Sequence, residues 1–424
     1  MATVTYATSD GSSRSSMDTA LKDIYLPRLR SVVRKKRVLS ARLKSNAEQT
    51  SVSGRQAVVP INLRPSEAVG ARGDGELLPA PQKQIFDDSI VPYRYNYGTI
   101  RITHPTIAAT RNDAGAWVKV ANSEMKGIER DLENDFNRQN FGYGSGVLGR
   151  ASNAGSTSSA LTLDPGHKVK PNMLLDSFTA LGSGTKELDA AVVSSVSGNA
   201  ITLSATDDWT DNAFVFRTGV TDANPATPTY HERMGLQGII DDSTLASGIG
   251  TFVETLQGIT RDTYTEWNAN VFEGATAGTG RQISETILDD SIFTVEENGE
   301  GSIDFGITTR IQFRKIGHLK SGDMRYSPST TIEGGFRAIK WADIPIFYDK
   351  DCPVDVNNND MLFWVDEDYI EFYELSDFDW DAEDGNILHR NQGYATYDAT
   401  LFKYGNMGSQ DPAKHGCVRD LLRT

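Results

Sequence analysis

The clearest periodic signal in the chain lies in residues 116–141. Trp117, Ala121, Met125, Ile128, Leu132 and Phe136 step by three or four and draw one apolar stripe. Glu124, Lys126, Glu129, Arg130, Asp131, Glu133 and Arg138 fall elsewhere on the same helix. Asn112 or Asp113 is the expected cap, and Gly142 and Gly144 the expected stop. At about 1.5 Å per residue this is a rod of roughly 40 Å, long for a globular domain.

Upstream, Leu21, Ile24, Tyr25, Leu29, Val32 and Val33 suggest a helix starting near Ser16 or Asp18, with a break at Pro27. Residues 45–112 read as a long two-stranded excursion. Its β-prone runs are Gln56–Leu63 and Tyr93–Ile107, the second alternating through Tyr95, Tyr97, Thr99 and Arg101. Gly70, Gly73, Gly75, Pro79 and Pro81 punctuate the stretch between them. So little apolar surface cannot make a core alone, so this segment is expected to pack on something external.

From 145 to 230 the pattern changes to short β-prone runs separated by Gly, Ser, Asn and Asp turns: Ala160–Leu163, Ala190–Val196, Ala200–Leu203 and Ala213–Arg217. That spacing predicts a small inserted β-barrel or sandwich. Residues 235–335 mix a helix near Ser284–Asp290 with a β-prone run around Ile307–Phe313. Residues 336–424 return to strands at Ile344–Tyr348, Met361–Val365, Tyr369–Tyr373 and Tyr394–Phe402.

Composition adds one asymmetry. The 424 residues sum to a net charge of −15, yet Arg14 to Lys44 carries ten basic residues against Asp18 and Asp23, a net of +8. Asp349 to Asp384 is the opposite extreme, with fourteen acidic residues and only Lys350 to offset them. A basic arm on an acidic body suits an anionic partner or another subunit's acidic face; two solvated faces of opposite sign are the plainer alternative. Two cysteines, Cys352 and Cys417, exclude a disulfide scaffold and suit a reducing compartment. Residues 1–20 lack the apolar core of a signal peptide, and no stretch approaches the roughly 20 apolar residues of a membrane span.

The candidate chemistry is thin. Asp355-Val-Asn357-Asn-Asn359 resembles the opening of a calcium loop, but Asp360 stands where Gly is needed and Asp366 where a bidentate Glu is needed, so an Asx-rich turn is expected. Gly182-Ser-Gly-Thr-Lys186 lacks the order of a phosphate loop, and His231-Glu232 has no second His for zinc. Arg72-Gly73-Asp74 reads as a tight turn at a loop tip. Asp366, Glu367, Asp368 and Glu371 include conceivable catalytic pairs, but so many acids in one run are expected to be mostly solvated. No catalytic, metal or cofactor site is expected.

The order of these pieces resembles the major capsid proteins of tailed bacteriophages over essentially the whole chain. Ile100-Arg-Ile-Thr103 running into the long helix, and Ile344-Pro-Ile-Phe347 followed by Asp349 and Pro353, are the specific echoes. The resemblance implies an α+β, tailed-phage major capsid fold. Its parts would be an N-terminal arm (1–53), an E-loop hairpin with its descending strand (54–112), a spine helix of the peripheral domain (113–144), an inserted β-barrel or sandwich-like domain (145–234), an axial domain (235–337) and peripheral C-terminal strands (338–424).

It further implies a non-enzymatic subunit that assembles into pentamers and hexamers around double-stranded DNA, in virions built in the host cytoplasm. Scaffolding, portal and decoration proteins would be its partners. Arg34, Lys35, Lys36, Arg37, Arg72, Asp74 and Lys83 are the expected intersubunit contacts. Some relatives cross-link an E-loop lysine to a neighbour's asparagine, which here points to Lys83 with Asn357, Asn358 or Asn359. Two other classes are weighed: an encapsulin-like nanocompartment shell, and an extracellular carbohydrate-binding or hydrolytic β-protein. The insertion and length count against the first, the long helix and missing signal peptide against the second.

Overall fold

The computed structural model describes Leu39, Leu43 and residues 54–74, 76–105, 114–181, 184–221, 230–242, 255–274, 279–320, 331–332, 336–355, 357–382, 385 and 387–423. The chain divides into two compact units: Met1–Arg42, Arg94–Arg138 and Glu374–Gly405 form one, and Leu43–Tyr93, Gln139–Tyr373 and Asn406–Thr424 the other.

The smaller unit is a sheet backed by the long helix. That helix runs Ala114–Gln139, with Arg138 in its last turn, where a cation suits the carbonyl end. Its expected cap at Asn112 or Asp113 lies outside the described residues, as do the side chains of Trp117 and Ala121. The rest of the predicted stripe is in place. Met125, Leu132 and Phe136 are buried with Ile128 beside them, against Ile100, Ile102, Phe378, Trp380, Ala399 and Leu401 of the sheet. Gly98 permits the close approach, because a Cβ there would stand 3.0 Å from Ile128 Cγ1.

The central strand of this sheet, Thr396–Ser409, pairs antiparallel with Arg94–Thr103 from Arg94↔Gly405 to Thr103↔Thr396. Here the sequence reading needs correction. Arg94–Thr103 alternates as expected, but it is not the second leg of the hairpin. Its buried face supplies Ile100 and Ile102 to the helix-backed core, and that burial commits it to this sheet.

The hairpin instead pairs Gln56–Arg64 with Ile85–Pro92, in register from Gln56↔Pro92 with an irregularity at Asn62/Arg64. It belongs to the larger unit, which holds two further bodies. The first is the insertion. Val147–Arg150, Phe214–Arg217, Leu174–Phe178, Ala191–Ser197, Ala200–Trp209 and Gly155–Thr162 lie side by side in that order, all antiparallel. The last strand returns to the first: Ala151 bridges Leu163, Ser152 N donates to Thr162 O at 2.9 Å, and Asp164 N donates to Arg150 O at 2.8 Å. The sheet therefore closes as a barrel around its own core, which includes Leu148, Leu161, Leu163, Leu175, Val193, Ile201, Leu203 and Trp209. Its entry and exit are joined by a Tyr143↔Met234 bridge.

The second body is a mixed six-stranded sheet in the order Asn270–Phe272, Gly416–Leu422, Asn359–Val365, Phe305–Thr308, Ile344–Tyr348, Ile339–Trp341. Two helices share its core: Leu288, Ile292 and Val295 from Glu285–Gly299, and Ile316 from Arg310–Leu319. Three differences from the sequence reading meet here. The β-prone run at Ile307–Phe313 is cut at Thr309, whose side chain accepts from Gln312 N and starts a helix. The helix expected near Ser284–Asp290 continues to Gly299 behind the Ser284 cap. The boundary expected at 337/338 runs through the sheet, because strands on both sides of it pair, Gly306↔Ile346 among them. Only Glu374–Gly405 of the C-terminal segment joins the unit of the long helix.

Candidate subunit-contact surface

The hairpin is anchored at its base and bare at its tip. At the base, Ala57, Val91 and Tyr93 pack with Tyr373. Ile90 N donates to Gln257 O at 2.7 Å, while the Gln257 amide donates to Ser89 Oγ at 2.5 Å and to Ser409 O at 3.0 Å. Arg64 reaches Glu266 with both branches of its guanidinium, at 2.5 and 3.1 Å, and holds that carboxyl below its ordinary range.

Beyond Arg64 the legs run without strand pairing, tied by Ser66 Oγ donating to Gln82 O at 3.1 Å. The tip is the expected tight turn. Glu76 N donates to Gly73 O, Gly73 N donates to Glu76 Oε2 at 2.9 Å, and Arg72 Nε donates to Leu77 O at 3.1 Å. Arg72, Asp74 and Lys83 are all exposed on this arm. Among them stand apolar side chains that the arm itself cannot cover: Val69 is 79% exposed, Leu77 90%, Leu78 78% and Phe86 65%. Single exposed leucines are ordinary, but a run of this kind on an arm with no core is a candidate contact surface.

The sheet of the smaller unit carries a second exposed surface. Tyr95 and Tyr97 project from it beside Tyr404, ring centres 5.1 and 5.7 Å away, and Phe402 stacks on Tyr404 at 4.8 Å. Arg101 clasps Asp398 bidentately at 2.7 and 2.8 Å next to them.

The acidic run is less solvated than its composition suggests. Asp349, Asp360 and Asp366 are buried. Burial raises the Asp360 carboxyl, opposed by hydrogen bonds from Gln312 and Thr309. Glu374 and Asp377 face Lys403, which arrives from the neighbouring strand at 2.6 and 3.2 Å. Lys403 is a buried structural partner that sequence reasoning missed, since a single lysine within a strand carries no spacing signal.

The Asp355–Asn359 stretch is a turn, as expected. Asp355 accepts from Asn359 N at 2.6 Å and from its amide at 3.0 Å, and Asn358 sits at φ 64°. Asn359 is buried, whereas Asn357 and Asn358 are exposed. Arg34, Lys35, Lys36 and Arg37 lie outside the described residues, as do Gly182 and Ser183; Lys186 pairs with Asp176 and Asp189 at 3.1 and 2.5 Å. Cys352 and Cys417 are free and buried. Among the described residues no group of His, Cys, Asp and Glu is arranged to hold a metal ion, and no helix is long and apolar enough to cross a membrane.

No protein-family model matches this chain, and no curated protein is similar to it in sequence. Solved structures do match. The cyanophage A-1(L) capsid asymmetric unit aligns with a TM-score of 0.54 over 99% of this chain and 96% of that one, at 11% identity. The capsid of a native GTA particle gives 0.44 over 88% and 86% at 9% identity, and the mycobacteriophage Che8 structure 0.43 over 90% and 91% at 6%. Sequence likeness at that level is negligible, while the first alignment runs nearly from end to end. The chain has the α+β fold of the tailed-phage major capsid proteins.

Proposed function

We propose that this protein is a non-enzymatic capsid subunit, assembling into the pentamers and hexamers of an icosahedral shell around double-stranded DNA. The observation that carries the reading is the hairpin: fixed at its base, apolar at its tip, and without a core. Covering Val69, Leu77, Leu78 and Phe86 with a neighbouring copy would return on the order of 5 kcal/mol per arm or more, before ordering costs. A heterologous contact of that kind, repeated around a closed symmetry, builds a shell from individually modest interfaces.

The proposal extends to the partners. The basic arm around Arg34, Lys35, Lys36 and Arg37 docks on acidic strands of an adjacent subunit in preference to DNA, while the remaining net negative charge keeps packaged DNA from adhering. Scaffolding, portal and decoration proteins complete the particle, and assembly takes place in the host cytoplasm. Negative-stain microscopy of the purified protein tests the central claim. Icosahedral particles are expected, and nuclease-protected DNA in particles from infected cells separates a virion from a cargo-filled nanocompartment. A chain that remains a monomer at all concentrations overturns the reading.

A further inference from the structure

The larger unit contains an apolar groove of about 740 Å³ between the helix Arg310–Leu319 and the outermost strand of the six-stranded sheet, Ile339–Trp341. Ile311, Phe313, Ile339 and Tyr348 supply its walls. Gly317 lets the helix approach the strand, since a Cβ there would stand 3.1 Å from Ile339 Cδ1. Phe313 and Tyr348 meet with ring centres 5.1 Å apart, and Tyr348 is 42% exposed, so the wall is open. The helix carries no acidic residue, and none lines the groove. Arg310 and Arg314 line it instead; both are exposed, and neither side chain is bonded to another described residue. They stand one helical turn apart, roughly 5–6 Å along the same side of the helix.

These features select an occupant. Apolar walls need apolar side chains to fill them, which the phosphate backbone of a nucleic acid lacks. Two guanidinium groups one turn apart match carboxylates at the same spacing, as recur along one side of a second helix. The two arms of this chain do not have that charge. Arg14 to Lys44 is net +8, and the hairpin tip carries Arg72, bonded to Leu77 O, and Lys83. We infer that the groove docks an acidic amphipathic helix of a different protein. Its apolar side chains pack on Ile311, Phe313, Ile339 and Tyr348, and its carboxylates pair with Arg310 and Arg314. The site lies within one unit, and the inference does not depend on the shell reading above.

A displayed library of random peptides of about 16 residues, some four helical turns, is panned against the full chain, with Arg310→Glu plus Arg314→Glu as the counter-selection target. Enriched peptides are expected to be net negative, with Leu, Ile, Phe or Met recurring every three or four residues. A synthetic copy of the leading peptide should bind the wild-type chain saturably and the double variant at least about tenfold more weakly, at an unchanged unfolding midpoint. Serine at the peptide's apolar positions should weaken binding by at least about tenfold as well, because the walls then go unfilled. Basic or uncharged winners, no winners, or binding indifferent to either change overturns the inference. Displacement of the peptide by a DNA duplex of about 20 base pairs would assign the patch to nucleic acid and also overturn it. Self-association of the purified chain should be the same in the double variant as in wild type; its loss would give the groove to a second copy instead, and a chain that never builds shells leaves the peptide result unaffected.

Discussion

Removing the charge of Lys403 while keeping its bulk separates electrostatics from packing in the smaller unit. Lys403 is 4% exposed. Its Nζ lies 2.6 Å from Glu374 and 3.2 Å from Asp377, and 4.8 Å from the ring centres of both Phe136 and Phe378. The Glu374 side chain is 15% exposed and that of Asp377 31%, so the first pair dominates and the second is weakened by solvent.

Lys403→Met retains the apolar stem and gains a favourable sulfur–ring contact, but removes the cation 2.6 Å from Glu374 in a poorly solvated place. Breaking one side of a buried pair costs about 3–5 kcal/mol, and partial relaxation of Asp377 toward water places the expected loss near the lower value, about 3 kcal/mol. Urea unfolding of the unassembled subunit, followed by tryptophan emission, should move its midpoint down by about 1–2 M. Lys403→Met with Glu374→Leu should recover to within about 1 kcal/mol of wild type, because two apolar residues then replace the ion pair together. A single variant within about 0.5 kcal/mol of wild type, or a double variant as damaged as the sum of its parts, refutes the reasoning.

Gly306→Ala places a Cβ 2.7 Å from Trp364 Cζ3 inside the six-stranded sheet and should cost about 1–3 kcal/mol, with Trp364→Phe in the same chain relieving part of it in a double-mutant cycle. Fully buried His415 accepts from Asp366 N at 3.2 Å and donates to Ser409 Oγ at 3.2 Å, and burial pushes its imidazole down to about 3. The unfolded chain therefore binds the extra proton first. This contribution is intact above about pH 6.5 and drains away as pH falls toward 3, by up to about 5 kcal/mol, and His415→Gln should flatten that acid limb; equal slopes would contradict it. Mature particles should run as intact monomer on a denaturing gel, since Asn359 is held by Asp355; a ladder abolished by Lys83→Arg would instead establish cross-linking to exposed Asn357 or Asn358. Deleting residues 14–44 should abolish assembly, and intact shells with altered DNA packing alone would show that the arm serves the nucleic acid.

Local periodicity carried the long helix and many of the longer strands, though not Ile85–Pro92 or Gly416–Leu422, because Met125, Leu132 and Phe136 or the alternating Arg94–Thr103 declare their buried faces within a few residues. Partnership was another matter. Arg94–Thr103 pairs with Thr396–Gly405, some three hundred residues away, and nothing in its own pattern distinguishes that strand from the nearer Gln56–Arg64. The Ile307–Phe313 run misled because Ile and Phe suit strands, while the deciding residue was Thr309, a cap. At the contact surface, the turn at Arg72-Gly73-Asp74 was readable from its glycines.

Among the described residues, the six strands of the barrel spanning 147–217 pair with one another and with no strand outside it. Its two connections to the rest of the chain meet at the Tyr143↔Met234 bridge, and its flank touches the larger unit again where Lys168 Nζ donates to Lys350 O at 3.5 Å and Gly166 lies against Val354. A module that completes its own pairing can lengthen its turns while the sheet and helices downstream keep their own register. Change can then accumulate at that address while the strand pairing elsewhere in the fold stays fixed.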